Sequence, residues 1–360
     1  MKKSLIMIVI FGMILGLFTA CHTVNPSEKI STTVSEEPSS ESPANEPTQK
    51  TIDIILVAGQ SNATGTTKVD YTAAYEILPE LKTTGYPNVL TAGELRTTDS
   101  SYSEGFYRRN INWQTTMLGL GKNGKYMGSE VGIAKEFSAF FNGESGMTAG
   151  ILKYGHGGTA MLNTTSGSSR YGNWVSPSYA QKKGYSYQGA TGGLYREFLQ
   201  VVRKKLESLP RGYTDFNIRG LYWMQGEEDR ENPQEYKQAF LCFVQDLRRD
   251  LSDIVKEITG NDDRGAADMP IWVGTISRTF RSANSDDRNT NAAFIQMQKG
   301  LADEQNKIFV VDNSEYDINR MENGSSVPVG ADIYHWNQAD HISIGRNVGR
   351  AILKYYNMIE

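Results

Sequence analysis

Ser61 follows the apolar run Ile54-Ile55-Leu56-Val57, inside the segment Gly59-Gln60-Ser61-Asn62. A buried strand that breaks at a small-residue turn fixes the backbone and presents a hydroxyl. The turn or helix that opens next has N–H groups that favour negative charge. Serine becomes a nucleophile at neutral pH only when a base takes its proton, and the base needs an orienting partner. Asp332 and His335 meet that need, being three residues apart in Asp332-Ile333-Tyr334-His335. In a helical turn or compact loop this spacing sets both side chains on one side. The carboxylate can then hold one imidazole nitrogen while the other faces a serine. The chain has four histidines: His22, His156, His335 and His341. His22 falls in a processing region, and the D-x-x-H pairing favours His335 over the other two. Taken alone, Ser61 reads more readily as a helix cap or turn former than as a nucleophile.

Attack on an ester creates a tetrahedral oxyanion, which needs donors already in place. The Gly157-Gly158 pair, in Tyr154-Gly155-His156-Gly157-Gly158-Thr159, can bring backbone close to a ligand because no side chain intervenes. Gln225 follows Leu221-Tyr222-Trp223-Met224, a run that reads as a buried parallel strand. Its amide would point into the same crevice. Glu227-Glu228-Asp229 invites a metal reading, but no His or Cys clusters beside them. Hydrogen bonds that shape the site and a solvated acidic turn are the preferred roles, and no metal or other cofactor is expected.

Together these blocks resemble the SGNH-hydrolase superfamily, in the carbohydrate acetylesterase branch that includes sialate O-acetylesterase-like and acetylxylan esterase-like proteins. Gly59-Gln60-Ser61-Asn62 matches the branch's GQSN, and the Gly157-Gly158-Thr159 turn matches its Gly-Gly-Thr/Ser element. Trp223-Met224-Gln225-Gly226-Glu227-Glu228-Asp229 matches W-x-QGE-x-D, with glutamine where the superfamily usually has asparagine. Asp332-Ile333-Tyr334-His335 is followed by Gly345 ten residues after the histidine, as in the family pattern. The resemblance implies a three-layer α/β/α, flavodoxin-like fold and removal of acetyl groups from sugars through an acetyl-enzyme. It implies Ser61 as nucleophile, His335 as general acid/base and Asp332 as its partner. Ser61, Gly157 and Gln225 would form the oxyanion hole, supported by Gln60, Asn62, Gly158 and Glu227. Glu130, in Met127-Gly128-Ser129-Glu130, resembles a further element of the branch, and a helix N-terminal charge accounts for it equally.

Five short apolar runs alternate with helical patterns after residue 50. The runs are Ile52 to Ala58, Gly150 to Tyr154, Arg219 to Met224, Pro270 to Thr275 and Lys307 to Val311. Such alternation predicts a five-stranded parallel sheet with helices on both faces. Ligands bind such sheets outside the carboxyl ends of the strands, where Ser61, Gly157 and Gln225 all fall. The spans Thr64 to Lys125 and Leu162 to Thr191 read as insertions. The second carries Tyr171, Trp174, Tyr185 and Tyr187, and Trp174 and Tyr185 are the candidates to stack on sugar. A self-packed surface loop is the competing reading.

Lys2 and Lys3 precede the apolar run Leu5 to Phe18, which suits a secretory segment and is short for a bilayer span. Leu17-Phe18-Thr19-Ala20-Cys21 resembles a bacterial lipobox, so residues 1–21 read as a lipoprotein-type signal with the lipid on Cys21. That lipid would be the chain's contact with a membrane, placing an exported protein at the bacterial cell surface or facing the periplasm. Residues 22–50 are rich in Ser, Thr, Pro and Glu without apolar period and read as a disordered tether. The domain then spans 51–360. A formal net charge of −4 gives no basic footprint for nucleic acid, which is not expected as a partner. Besides carbohydrate O-acetylesterase, two alternatives stand. One is an esterase of another acyl class on the same fold, and the other a sugar-binding surface lipoprotein without catalysis.

Overall fold

Strand β1, Thr51–Gly59, divides its side chains by parity. Ile52, Ile54, Leu56 and Ala58 enter one buried cluster, whereas Ile55 and Val57 enter another. A strand that is apolar on both faces has to be covered on both, as in parallel sheets. The computed structural model describes residues 50–98, 106–141, 148–163, 172–281, 285–316, 318, 332 and 334–360. The signal segment with Cys21, the tether up to residue 49, and Tyr171 lie outside the described residues.

The sheet comprises β1 with β3 (Tyr86–Thr98), β4 (Phe106–Thr116), β6 (Thr148–His156), β7 (Asp215–Met224), β8 (Ile271–Gly274) and β9 (Ile308–Val311). Its order is β4-β3-β6-β1-β7-β8-β9. It is parallel except for β4, which runs antiparallel to β3 at one edge. The sheet therefore has seven strands, not five, and the supposed insertion 64–125 supplies the extra pair. That hairpin escapes a search for apolar runs because Glu94, Arg96 and Arg108 interrupt it. Their charges are compensated in place, Glu94 facing both arginines. A second ribbon pairs β2 (Thr67–Lys68) with β5 (Tyr126–Met127).

Helices cover both faces. Leu194, Tyr195 and Phe198 of α5 (Gly193–Leu206) and Phe240, Phe243 and Leu247 of α6 (Pro233–Thr259) fill the first cluster. Val131 and Phe137 of α3 (Glu130–Phe140) and Ile342, Val348 and Ile352 of α8 (Gln338–Tyr355) fill the second. The remaining helices are α1 (Ser61–Thr64), α2 (Tyr71–Ile77), α4 (Pro177–Lys183) and α7 (Ser285–Lys299). No helix among the described residues is long and apolar enough to cross a membrane.

Two features of this frame set the site. The register aligns Gly59 with Gly155 on one side and with Met224 on the other, while His156 faces Arg96. Gln60, Gly157 and Gln225 consequently leave the sheet at one edge and at one level. The helix that follows His335 is held by the crossing of α8 over α3. A Cβ on Gly132 would lie 2.1 Å from the Ile342 carbonyl oxygen, and one on Gly345 would lie 2.1 Å from that of Ser129. Only glycine admits so close an approach, which accounts for Gly345 in the sequence pattern.

Candidate active site

Ser61 opens the single turn α1 directly beyond β1. The Gln60 N–H donates to the Met224 carbonyl at 3.0 Å, carrying the ladder one residue past the strand. Gly59 makes the turn at φ +145°, and a Cβ there would lie 2.0 Å from the Met224 oxygen. Thr64 N–H then donates to the Gln60 carbonyl and Gly65 N–H to that of Ser61, closing the turn. Beneath it lies a buried ion pair that the sequence did not announce. Lys153 Nζ donates to Glu130 Oε2 at 2.7 Å, to the Leu120 carbonyl at 3.2 Å and to the Thr64 carbonyl at 3.4 Å. Glu130 Oε1 accepts from the Gly128 N–H. Burial pulls the Lys153 ammonium below its usual range against the attraction of Glu130. The pair joins the end of the serine turn to β6 and α3.

The acidic segment after β7 wires the other blocks together. Glu227 Oε1 accepts from Asn62 Nδ2 at 2.8 Å. Asp229 Oδ2 accepts from the Met161 N–H at 2.7 Å and from Gln225 Nε2 at 2.6 Å, and Oδ1 accepts from the Leu162 N–H at 3.0 Å. Glu227 and Asp229 are buried, so the expected solvated turn is corrected for these two. Burial raises each carboxyl to about 7, partly offset by the donors that face it. Glu228 alone of the three reaches the cleft.

Asp332 and His335 form a closed loop of their own. Asp332 Oδ1 accepts from the N–H groups of Tyr334 (2.9 Å) and His335 (3.2 Å), and Oδ2 lies 2.6 Å from His335 Nδ1. Desolvation would raise this carboxyl, but the imidazole and the two backbone donors outweigh it and hold it below the usual range. When Nδ1 carries its proton toward this carboxylate, Nε2 is the ring nitrogen left to accept one. The loop is tied to the β2 ribbon, since Thr67 Oγ1 donates to the Trp336 carbonyl at 2.6 Å. Gln338 also exchanges hydrogen bonds with the Asp70 backbone. One open cleft of about 870 Å³ is lined by Gln60, Ser61, Gly157, Gly158, Asp332 and His335 together. The rival bases are elsewhere. His156 and His341 are buried, and desolvation first, then neighbouring cations, lowers each to about 3. Neither lines the cleft.

Several sequence expectations need correction. The Gly157 N–H lies at the cleft but donates to the Arg96 carbonyl at 3.2 Å. The Gln225 amide does not line the cleft; it donates to Asp229, to the Thr159 carbonyl (3.2 Å) and to Gln60 Oε1 (3.4 Å). An amide has two N–H donors, so this one is occupied within the fold. The N–H groups of Ser61 and Gly158 make no hydrogen bond to a described residue. Trp174 is fully buried, packed edge-on against Trp223, Tyr154 and Phe198, and cannot stack on a polymer. Tyr185 packs partly buried against the same core, outside the cleft. Among the described residues no group of three His, Cys, Asp or Glu is placed to hold a metal.

A parallel sheet covered on both faces, with a serine turn and a D-x-x-H loop meeting at its carboxyl edge, defines an SGNH-type hydrolase. The chain belongs to the family described as carbohydrate esterase, sialic acid-specific acetylesterase, whose model matches residues 51–354. It is thus an enzyme, an acetylesterase acting on carbohydrate. Among solved structures it is similar to NanS, at 17% identity, covering 86% of this chain and 99% of that one with a TM-score of 0.52. A protein from Arabidopsis thaliana is similar at 16% identity over 84% of this chain and 98% of that one, TM-score 0.44. Est24, a carbohydrate acetylesterase from Sinorhizobium meliloti, is similar at 10% identity over 84% and 99%, TM-score 0.42. A search of curated proteins found no match.

Proposed function

We propose that the chain is a serine carbohydrate O-acetylesterase with Ser61 as nucleophile, His335 as general acid/base and Asp332 as its orienting carboxylate. The observation that carries this reading is the 2.6 Å contact of His335 Nδ1 with Asp332 Oδ2 in the cleft that Ser61 lines. Ser61 Oγ attacks the acetyl carbonyl carbon as His335 Nε2 takes its proton. The tetrahedral oxyanion receives the Ser61 and Gly158 N–H groups, and Gly157 can join them only by releasing the Arg96 carbonyl. His335 then returns the proton to the departing sugar oxygen. Water, deprotonated by His335, next attacks the acetyl-Ser61 ester, and acetate leaves as Ser61 regains its proton. Gln225 and Glu227 act by holding the Gly157–Thr159 turn and Asn62 in place.

Ser61→Ala and His335→Ala should each lower kcat by roughly 10⁴-fold or more, and the double variant should be little worse than either, because such groups act as a unit. Acetate release from an acetylated glycoside measures this. A Ser61→Ala protein that keeps a tenth of wild-type activity would remove the assignment. We propose further that the enzyme is exported and lipid-anchored through Cys21. Cys21→Ser should then leave the membrane fraction, and continued pelleting would contradict the anchor.

A further inference from the structure

The proposed reaction accounts for the acetyl group and leaves the sugar unheld. Trp174 and Tyr185, the aromatics expected to hold it, do not reach the cleft. Tyr334 does. It stands between Asp332 and His335 in sequence and lines the cleft with Ser61, yet 42% of its surface remains exposed. Its N–H is fixed by Asp332 Oδ1, and its ring centroid lies 6.3 Å from that of His335.

This ring is open to solvent but braced from behind. Phe280, itself buried, meets it at 5.9 Å with the ring planes at 62°. The Arg281 guanidinium lies 5.3 Å from the Tyr334 centroid and 5.5 Å from that of Phe280. Arg281 has φ +52°, an uncommon setting for a residue with a side chain. Arg230 also lies 5.3 Å from the Phe280 centroid and is paired with Asp287. Interior packing does not require a ring that leaves so much surface in water, and side-chain entropy would ordinarily keep such a ring mobile. Here one cation, Arg281, and a buried phenyl, itself flanked by Arg230, hold it at the mouth of the site.

A pyranose offers a face of C–H groups ringed by hydroxyls, which suits a flat amphipathic ring with an apolar body and polar tip. We infer that Tyr334 is the platform on which the pyranose bearing the acetyl group stacks, with Phe280 and Arg281 holding the ring in place. This rests on the Ser61 reading above. Placing the sugar there sets the ester oxygen beside His335, which must return a proton to it.

The test uses two substrates without aromatic groups of their own, methyl tetra-O-acetylglucopyranoside and vinyl acetate. The quantity read is the ratio of kcat/KM on the sugar to that on vinyl acetate, which cancels effects common to the two esters. Loss of the stacking face should lower the ratio in Tyr334→Ala roughly tenfold, equivalent to about 1.4 kcal/mol. Tyr334→Phe, which keeps the face, should stay within about twofold of wild type on the same grounds. A ratio unchanged in Tyr334→Ala overturns the platform. So does an equal fall in Tyr334→Phe, which would assign the effect to the hydroxyl. Ser61→Ala separates the readings. If it retains turnover of vinyl acetate, the nucleophile is wrong, whereas the Tyr334 ratio tests the platform alone.

Discussion

Asp229 touches no substrate in the proposed reaction, yet its replacement by asparagine should damage both stability and turnover. Its two oxygens receive three donors: the Met161 and Leu162 N–H groups and the Gln225 amide. Asparagine offers one oxygen. Turned to serve Met161 and Gln225, it leaves its own N–H₂ facing the Leu162 N–H, with that donor buried and unpaired. An orphaned buried donor costs about 1–3 kcal/mol. For a domain of this size about 2 kcal/mol corresponds to a fall of roughly 3 °C in Tm. The displaced segment leads back to Gly157 and Gly158 at the cleft, and a shift of about 1 Å in reacting geometry can cost about 10²-fold in rate. The loss also has a pH signature. Asp229 is raised in the fold from 3.8 to about 7, chiefly by burial. A carboxyl raised in this way stabilises the fold fully below its unfolded pKa, and that contribution is lost as pH rises through its folded value. The wild-type advantage over Asp229→Asn should therefore be largest near pH 4 and shrink toward pH 8, while His156 and His341, on which Asp229 does not act, titrate alike in both proteins. Thermal unfolding from pH 4 to 8, with kcat measured at pH 7.5, tests this. A Tm deficit that is absent, or that grows with pH, would refute the reasoning.

Other outcomes follow from the same contacts. Asp332→Asn should lower kcat by about 10²–10⁴-fold with little change in Tm, since an amide can present the wrong group to Nδ1 of a half-exposed pair; unchanged kcat in steady-state assays would contradict it. Trp174→Ala should cost about 3–5 kcal/mol in chemical denaturation and leave the ratio of sugar to vinyl acetate turnover alone, because the ring fills the core. A selective loss on sugars would return Trp174 to the site. Gly59→Ala should give insoluble or unfolded protein, judged by circular dichroism, because its Cβ meets the Met224 carbonyl; a well-folded, active variant would show that the serine turn tolerates a shift of β1 against β7.

Much of this was legible because strands buried on both faces write themselves as apolar runs. Ile52 to Ala58 and the run ending at Met224 located two neighbouring strands, and the residues after each fell at the site because the register aligns Gly59 with Met224. D-x-x-H was legible for a local reason, as three-residue spacing is closed by one carboxylate bonding two backbone N–H groups and the imidazole. What failed was nonlocal. β3 and β4 carry compensated charges, so their hairpin hid in a span that looked like an insertion. The occupied donors of Gly157 and Gln225 depend on Arg96 and Asp229, residues far away in sequence or read as solvated. Trp174 looked like a sugar ligand because its loop is rich in small polar residues, but the ring itself turns inward. Tyr334 sat inside a recognised motif and drew no notice between two residues with louder chemistry.

The ion pair under the serine turn has a consequence for how this sequence can change over time. Removing either member of a buried pair strands the other charge and typically costs about 3–5 kcal/mol, a large share of a domain's stability. Neither Lys153 nor Glu130 can therefore drift first. Simultaneous replacement by apolar residues is often tolerated elsewhere, but here Lys153 also serves the Thr64 and Leu120 carbonyls and Glu130 the Gly128 N–H. An apolar pair would leave all three without their present partners. The way out by double substitution is blocked as well as the two single steps, so the arrangement behaves as a ratchet. Descendants of this chain should keep lysine and glutamate at these positions together even where the cleft above them has turned to a different ester.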